Sequence, residues 1–389
     1  MQIKTAAIQV LMSISRRLPP KRGLWLFGAW AGNLYSDNPK YLLQHIRAKK
    51  KDVRPVWITK NLQVLRKLKE EGIECCSRYS IKGLWLSLRA EACFVTYSTQ
   101  DVNPIIDPNK TTVFELWHGL GVKDTKWVDK DGNPPKAEDF LDMREYRWFG
   151  TSPYFTDTLS AEYFADKDKF YITGFPRNDT FVQKPRAPFM EALLKKHPGK
   201  KFVIYMPTHR NFGTETNPVL SRDSLTEADA LLRDRDIMMV LKPHYYELSA
   251  VKGFESCFTN ILLASDPAVW GDPYEYLHYF DGIISDYSSV TSDFICSGKP
   301  AVLFPYDIEH YKQYDGGILP IFWEVPAGPS CYTWAEVIST MSDLFVKDSW
   351  AERREHCRKI YHQYNDGLNC QRAYETAVEI LAQKGKKNV

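Results

Sequence analysis

The chain predicts an α/β protein of two Rossmann-like domains facing a cleft, and three observations lead there. Strand-like and helix-like runs alternate through most of its length, the pattern of parallel sheets with helices on both faces. A proline-marked stretch, Gln183-Lys-Pro-Arg-Ala-Pro188, divides that alternation into two halves. The 389 residues exceed what one core usually organises and leave room for two.

In the first half, strands are expected near Trp25–Gly28, Val56–Thr59, Ala92–Tyr97, Thr112–Leu116 and Phe170–Thr173, because each is a short apolar or β-branched run bounded by polar or turn residues. Helical spacing of apolar residues marks helices near Pro39–Lys49, Leu62–Glu71 and Ile81–Arg89. In the second half, a strand at Phe202–Tyr205 precedes a helix at about Leu225–Asp234, and further strands fall near Ile237, Ile261, Gly282 and Ala301. Trp334–Phe345 and Trp350–Gln383 read as closing helices, the last free to cross back to the first domain. The expected domains are therefore 1–182 and 189–383.

Composition sets outer limits. With 44% hydrophobic and 25% charged residues the chain can bury real cores, which excludes intrinsic disorder. Eight cysteines at unrelated spacings, with only Cys75-Cys76 adjacent, argue for reduced thiols in a cytosolic protein and against zinc or a disulfide framework. No protein-held metal site and no resident cofactor are expected, and the sequence leaves a metal requirement of the reaction open.

Net charge is +3, yet residues 1–60 alone carry a surplus of ten positive charges. Ile3, Ala7, Val10, Leu11, Ile14 and Leu18 recur at helical spacing there, with Lys4, Arg16 and Arg17 outside the stripe. A helix of that kind either faces a core or lies on an anionic bilayer. Ile81, Leu84, Trp85, Leu88 and Ala92, beside Lys82 and Arg89, form a second such stripe. Gln9, Ser13 and Ser15 interrupt the first too early for a transmembrane span. Nucleic acid is excluded as a partner, because the basic stretch is aliphatic and follows no recognition motif.

Chemistry concentrates in five polar strings, each following a strand-like run and so placed at a strand's carboxyl end, where open α/β sheets bind ligands. Asp281 to Phe294 runs from a hydrophobic strand into a hydroxyl-rich helix start, where Ser288, Ser289 and unpaired backbone N–H groups can converge on a phosphate. An ordinary helix cap, with Asp286 or a serine closing the first turn, is the plainer reading of that string alone. The others are Trp117-His118-Gly119-Leu-Gly121-Val-Lys123, Gly174-Phe-Pro-Arg177-Asn178-Asp179, Met206-Pro-Thr208-His209-Arg210 and Leu241-Lys-Pro-His244.

Taken in order, the five strings resemble the CDP-glycerol glycerophosphotransferases of teichoic-acid and capsule synthesis, whose patterns run approximately WHGTPLK, GYPRND, APTWR and TDYSSVxFD. No single string is specific; five in order are. The resemblance extends from Tyr35-Ser-Asp-Asn-Pro-Lys40 to Lys299–Asp307. It implies a GT-B arrangement, with an acceptor-binding, membrane-associating first domain and a second domain that binds a CDP-alditol. The implied reaction moves glycerol phosphate from CDP-glycerol to a hydroxyl of a lipid-linked saccharide or polyol-phosphate acceptor and releases CMP. The implied location is peripheral, on the cytoplasmic face of a bacterial cytoplasmic membrane.

The resemblance makes His118 the candidate base, since an imidazole titrating near neutrality suits deprotonation of an attacking hydroxyl. Gly119 and Gly121 leave room around it, and Lys123 adds charge at the same edge. Arg210, His244, Ser288 and Ser289 become the donor-phosphate contacts, Thr208 and Asp293 the nucleotide or ribose contacts, and Arg177 and Asn178 the lining of the cleft. Leu120-Gly-Val in place of Thr-Pro-Leu, His209 in place of tryptophan, and Thr291-Ser292 in place of a bulkier pair depart from the family pattern. These departures concern the alditol and acceptor pocket, which keeps CDP-ribitol open as donor. A GT-B glycosyltransferase using a nucleotide sugar shares the fold requirement, and a non-catalytic membrane scaffold is disfavoured by the intact polar groups. The length favours a single-addition enzyme, or one subunit of a shared assembly, over a polymerase that controls chain length.

Overall fold

The computed structural model describes residues 2–49, 52–120, 123–124, 136, 140, 142–210, 217–243, 247–248, 251–254, 256–314 and 317–387. The chain divides into two compact units. One comprises Met1–His118, Lys136–Asp179 and Gln363–Val389, the other Gly119–Pro135 and Thr180–His362.

In the first unit, β1 (Lys21–Phe27), β2 (Arg54–Thr59), β3 (Cys75–Ser77), β4 (Ala90–Val95) and β5 (Thr112–Glu115) belong to one sheet. β6 (Lys123–Asp124) stands apart from it, and β7 (Arg147–Gly150) and β8 (Phe170–Ile172) complete it. The spatial order is β3-β2-β1-β4-β5-β7-β8, every pairing parallel. The strands are nearly all buried, as a parallel sheet covered on both faces requires. Phe27, Phe94 and Phe114 stand in register on three neighbouring strands. Their rings stack at 4.6 and 4.8 Å, so the sheet's own strand spacing builds an aromatic ladder through the core.

The second unit repeats the plan with β9 (Lys201–Tyr205), β10 (Ile237–Leu241), β11 (Ile261–Leu263), β12 (Gly282–Ser285) and β13 (Ala301–Leu303), in the order β11-β10-β9-β12-β13, again all parallel. β14 (Gly317–Ile318) pairs antiparallel with β6. Counted within its own sheet, the first unit runs 3-2-1-4-5-6-7 and the second 3-2-1-4-5, so the winding direction reverses between β1 and β4 in one and between β9 and β12 in the other. Such switch points open a crevice at the strands' carboxyl ends.

The sequence reading located most strands of the two sheets, and three of its differences from the structure bear on the site. β3 and β7, three and four residues long, carry too little periodicity to be read as strands. The closing helices are Trp334–Val346, Ala351–Tyr361 and Asn369–Lys387, broken at His362–Leu368. The boundaries also move, because Gln363–Val389 belongs with the first unit and Gly119–Pro135 with the second. Ala373, Tyr374 and Ala377 of the last helix are buried in the first core. Asp179 fixes that helix's start, accepting N–H bonds from Asn369 (2.8 Å) and Cys370 (2.9 Å). Gly174 is required there: it has φ +78°, and a Cβ would lie 2.1 Å from Asn369 Oδ1.

The first helix, Gln2–Arg17, packs against the helix Ile81–Arg89. Ser15 Oγ donates to Leu88 O at 3.1 Å, and Arg16 pairs with Asp107 at 2.5 Å. Val10, Ile14, Ile81 and Trp85 remain exposed on these two helices. Among the described residues, no helix is long and apolar enough to cross a membrane.

Candidate active site

His118 follows β5 on a turn that the surrounding residues over-determine. Trp117 is held at φ 55°, uncommon for a bulky side chain, and its N–H donates to Glu115 Oε1 at 2.9 Å. Glu115 is fully buried, and desolvation lifts its carboxyl well above the usual range. Asn38 Nδ2 donates to the carbonyls of Leu116 (3.0 Å) and Trp117 (2.9 Å). Arg177 Nη1 donates to the His118 carbonyl at 2.9 Å and pairs with Asp37 Oδ1 at 2.7 Å, while its backbone N–H reaches Asn38 Oδ1 at 3.2 Å.

The imidazole itself has one polar contact among the described residues, Nδ1 to Thr96 O at 2.9 Å. A carbonyl only accepts, so Nδ1 is the donor in this bond, and in the neutral ring the lone pair lies on Nε2. Thr96 is in turn fixed by Asp101, whose Oδ2 accepts from the Thr96 N–H and hydroxyl, both at 2.8 Å, and whose Oδ1 accepts from Ala31 N–H at 2.6 Å. Thr96 follows β4 and Ala31 follows β1, so this frame straddles the first sheet's switch point.

In the second unit, Met206–Arg210 follows β9 and Asp286–Ser289 follows β12, again at the switch point. Asp286, fully buried, accepts from Thr208 N–H at 2.9 Å and from Tyr287 N–H at 2.7 Å, and pairs with Arg210 at 2.7 Å. Arg210 also grips Asp307 through Nε (2.7 Å) and Nη2 (3.0 Å) and donates to Thr208 O at 2.6 Å. The rings of Tyr287, Tyr306 and Tyr311 lie 5.1 to 5.4 Å from its guanidinium. Burial draws its affinity for the proton down, but Asp286 and Asp307 outweigh that and raise it. Ser288 and Ser289 are half-buried, and Ser289 makes no side-chain cap to the short helix that follows. The buried Thr208 Oγ1 is unpartnered among the described residues.

Several sequence-predicted roles change on this geometry. Arg210 is not presented to a diphosphate; its side chain is 2% exposed and committed to two carboxylates. Arg177, also 2% exposed, is not a cleft-lining group but a clamp on the His118 turn. Asn178 is buried beside it. Asp293 has no surface for a ribose: it is fully buried and accepts from Tyr274 Oη at 2.5 Å. Gly119 is buried at the start of the second unit, and Lys123 lies on β6, paired with Ile318. His244 and Gly121 lie outside the described residues.

Sequence reasoning gave no role to Asp37, Asn38, Thr96, Asp101 or Asp307. Two of these strings did carry a signal, since Asp37-Asn38 and Asp307 lie inside the segments that bear the family resemblance. Glu247 was also missed. Largely buried, it has Oε2 unpartnered among the described residues and Oε1 4.0 Å from His209 Nδ1. Desolvation lifts its carboxyl to about 7 against a weaker opposing pull from Arg210.

Comparison with known proteins adds the family. Residues 10–379 match the family model described as CDP-Glycerol:Poly(glycerophosphate) glycerophosphotransferase. The chain is 23% identical over 376 residues to a teichoic acid glycerol-phosphate transferase of Staphylococcus aureus, covering 92% of this chain and 93% of that protein. It is 26% identical to a teichoic acid poly(glycerol phosphate) polymerase of Bacillus subtilis, of which it spans about half (47%). In fold it resembles the wall teichoic acid polymerase TagF, with a TM-score of 0.78 at 21% identity over 98% of this chain and 95% of that one. The paired parallel sheets, the His118 turn and the match along nearly the whole chain agree: this protein belongs to the CDP-glycerol:poly(glycerophosphate) glycerophosphotransferase family.

Proposed function

We propose that the protein transfers glycerol phosphate from CDP-glycerol to a hydroxyl of a lipid-linked saccharide or polyol-phosphate acceptor, with His118 as general base. The observation that carries this reading is the His118 Nδ1 contact with Thr96 O: with Nδ1 as donor there, the neutral ring offers Nε2 as the proton acceptor. The acceptor oxygen forms a bond to the β-phosphorus, the bridging P–O bond to CMP breaks, and the hydroxyl proton passes to Nε2. The second unit holds the donor phosphates through Ser288, Ser289 and Thr208, on two loops whose backbones the Asp286–Arg210–Asp307 frame ties together. Donors fixed before reaction stabilise the charge that grows on departing CMP without reorganising.

Docking on an anionic membrane surface through the first helix belongs to the same reading. Val10 and Ile14 are exposed on a helix whose last turn carries Arg16 and Arg17.

The test is a mass-spectrometric assay with CDP-glycerol, CDP-ribitol and a panel of UDP and GDP sugars against a lipid-linked acceptor. A product heavier by one glycerol phosphate, with CMP released, is expected from CDP-glycerol. His118→Ala should lower turnover about 10²- to 10⁴-fold with donor affinity retained. Transfer from a nucleotide sugar alone, or turnover in His118→Ala within a few-fold of the parent, would overturn the reading.

A further inference from the structure

We propose that Trp30 is the stacking platform for a pyranoside ring of the acceptor, so that this chain takes a sugar hydroxyl in preference to the terminus of a polyol-phosphate chain; the proposal rests on transfer at His118. Trp30 follows β1, on the crevice edge of the first sheet's switch point. It begins three consecutive left-handed residues, Trp30 at φ 52°, Ala31 at φ 53° and Gly32 at φ 76°. A tryptophan in that region is a genuine outlier, and such strain persists only where neighbours impose it.

Here they do. Trp30 N–H donates to Thr96 Oγ1 at 3.3 Å, Ala31 N–H to Asp101 Oδ1 at 2.6 Å, and Arg78 Nη2 to Ala31 O at 3.1 Å. The Gly32 carbonyl accepts from Thr59 Oγ1 at 2.8 Å and from Lys60 N–H at 2.9 Å. All of these bonds engage backbone, and none requires an indole at position 30. The side chain lies outside the buried core cluster: Trp30 is 45% exposed, and its only ring contact among the described residues is His118, at 5.5 Å between centroids. Asp101 anchors both Ala31 and Thr96, so a single carboxylate fixes the platform and the imidazole relative to each other.

The chemistry of that arrangement favours a sugar. An exposed indole face is flat, uncharged and electron-rich, and it attracts the slightly positive C–H groups of a pyranose face while the ring's hydroxyls stay at the edge, beside Nε2. A polyol-phosphate chain has no such face and brings a negative charge with every unit. Two arginines of this region are already engaged, because Arg177 is paired with Asp37 and Arg78 donates to the carbonyls of Ala31 and Gln100.

The experiment compares the parent, Trp30→Ala and Trp30→Phe with two acceptors, an octyl pyranoside and an octyl-linked oligo(glycerol phosphate). Trp30→Ala should raise KM for the pyranoside about tenfold while kcat changes by less than about threefold, and Trp30→Phe should stay within about threefold of the parent in both. An equal rise in KM for both acceptors, or a phenylalanine variant as poor as the alanine one, would overturn the proposal. Saturation-transfer NMR of the octyl pyranoside needs no turnover and separates the two claims. Ring protons saturated in the parent and not in Trp30→Ala support the platform even where CDP-glycerol fails as donor, and no saturation in the parent refutes it.

Discussion

Replacing Asp37 by glycine tests whether the His118 turn depends on a buried charge pair. The Arg177–Asp37 contact is 2.7 Å long with side chains 2% and 5% exposed, so removing the carboxylate strands a guanidinium away from water. Breaking such a pair costs about 3–5 kcal/mol, a large part of the roughly 5–15 kcal/mol that holds a typical domain together. Glycine is the suitable replacement because Asp37 sits at φ 66°, where alanine would add backbone strain of its own. Urea denaturation followed by tryptophan fluorescence should show the loss as a lower midpoint. Adding Arg177→Met removes the stranded charge, so the double variant should regain most of that stability, to within about 1–2 kcal/mol of the parent. Turnover should not return with it, because the His118 carbonyl has lost the Arg177 Nη1 bond. A single variant within about 1 kcal/mol of the parent, or a double variant that recovers both stability and turnover, would refute the argument.

Two further outcomes are expected. Glu247 holds its proton to about pH 7 in the folded protein against an ordinary value of 4.5, so its contribution to stability is full below about pH 4.5 and is lost as pH rises towards 7. Glu247→Gln should therefore melt higher than the parent at pH 8, by about 1–2 kcal/mol once solvent screening is allowed for, and the two should converge near pH 4.5; a gap independent of pH would dismiss the titration. Deleting residues 2–14, which spares Ser15 and Arg16, should release the protein from anionic liposomes in a flotation assay at a salt concentration the parent withstands, and unchanged flotation would move the contact to Ile81 and Trp85.

What the sequence made legible follows from locality. A strand's apolar run and the polar string behind it are contiguous, so both sheets and the placing of His118, Thr208, Ser288 and Ser289 at strand ends could be read directly. The partners of the arginines could not. Asp37 stands 140 residues from Arg177 and Asp307 stands 97 from Arg210, so neither arginine looks neutralised until the chain is folded. The family resemblance gives Arg210 to the donor phosphates and Arg177 to the lining of the cleft, and the burial that reassigns them is a tertiary fact. Asp293 failed in the opposite way: one turn into a helix it resembles an exposed carboxylate, yet that helix is five residues long and wholly inside the unit. Trp30 gave no signal at all, since its meaning lies in its backbone angle and its distance from His118.

The reassignment of Arg210 changes the electrostatics expected of a donor site. One guanidinium faces two carboxylates, so the frame formed with Asp286 and Asp307 is a net anion, and it cannot be the group that attracts a diphosphate. Unit charges about 8 Å apart still repel by about 2 kcal/mol at an effective dielectric constant near 20, enough to alter affinity some thirtyfold. A third ionised carboxylate beside that frame would add to the repulsion, and Glu247 is the residue in place to supply it. While protonated, Glu247 adds no charge. On the proposed reading, donor affinity should therefore weaken as pH rises through about 7, and Glu247→Gln should flatten that decline while leaving affinity below pH 6 unchanged. Calorimetric titration of CDP-glycerol across this range separates the effect from one on cytidine, which carries no phosphate: a decline shared by both ligands would place the titrating group against the base and not against the diphosphate.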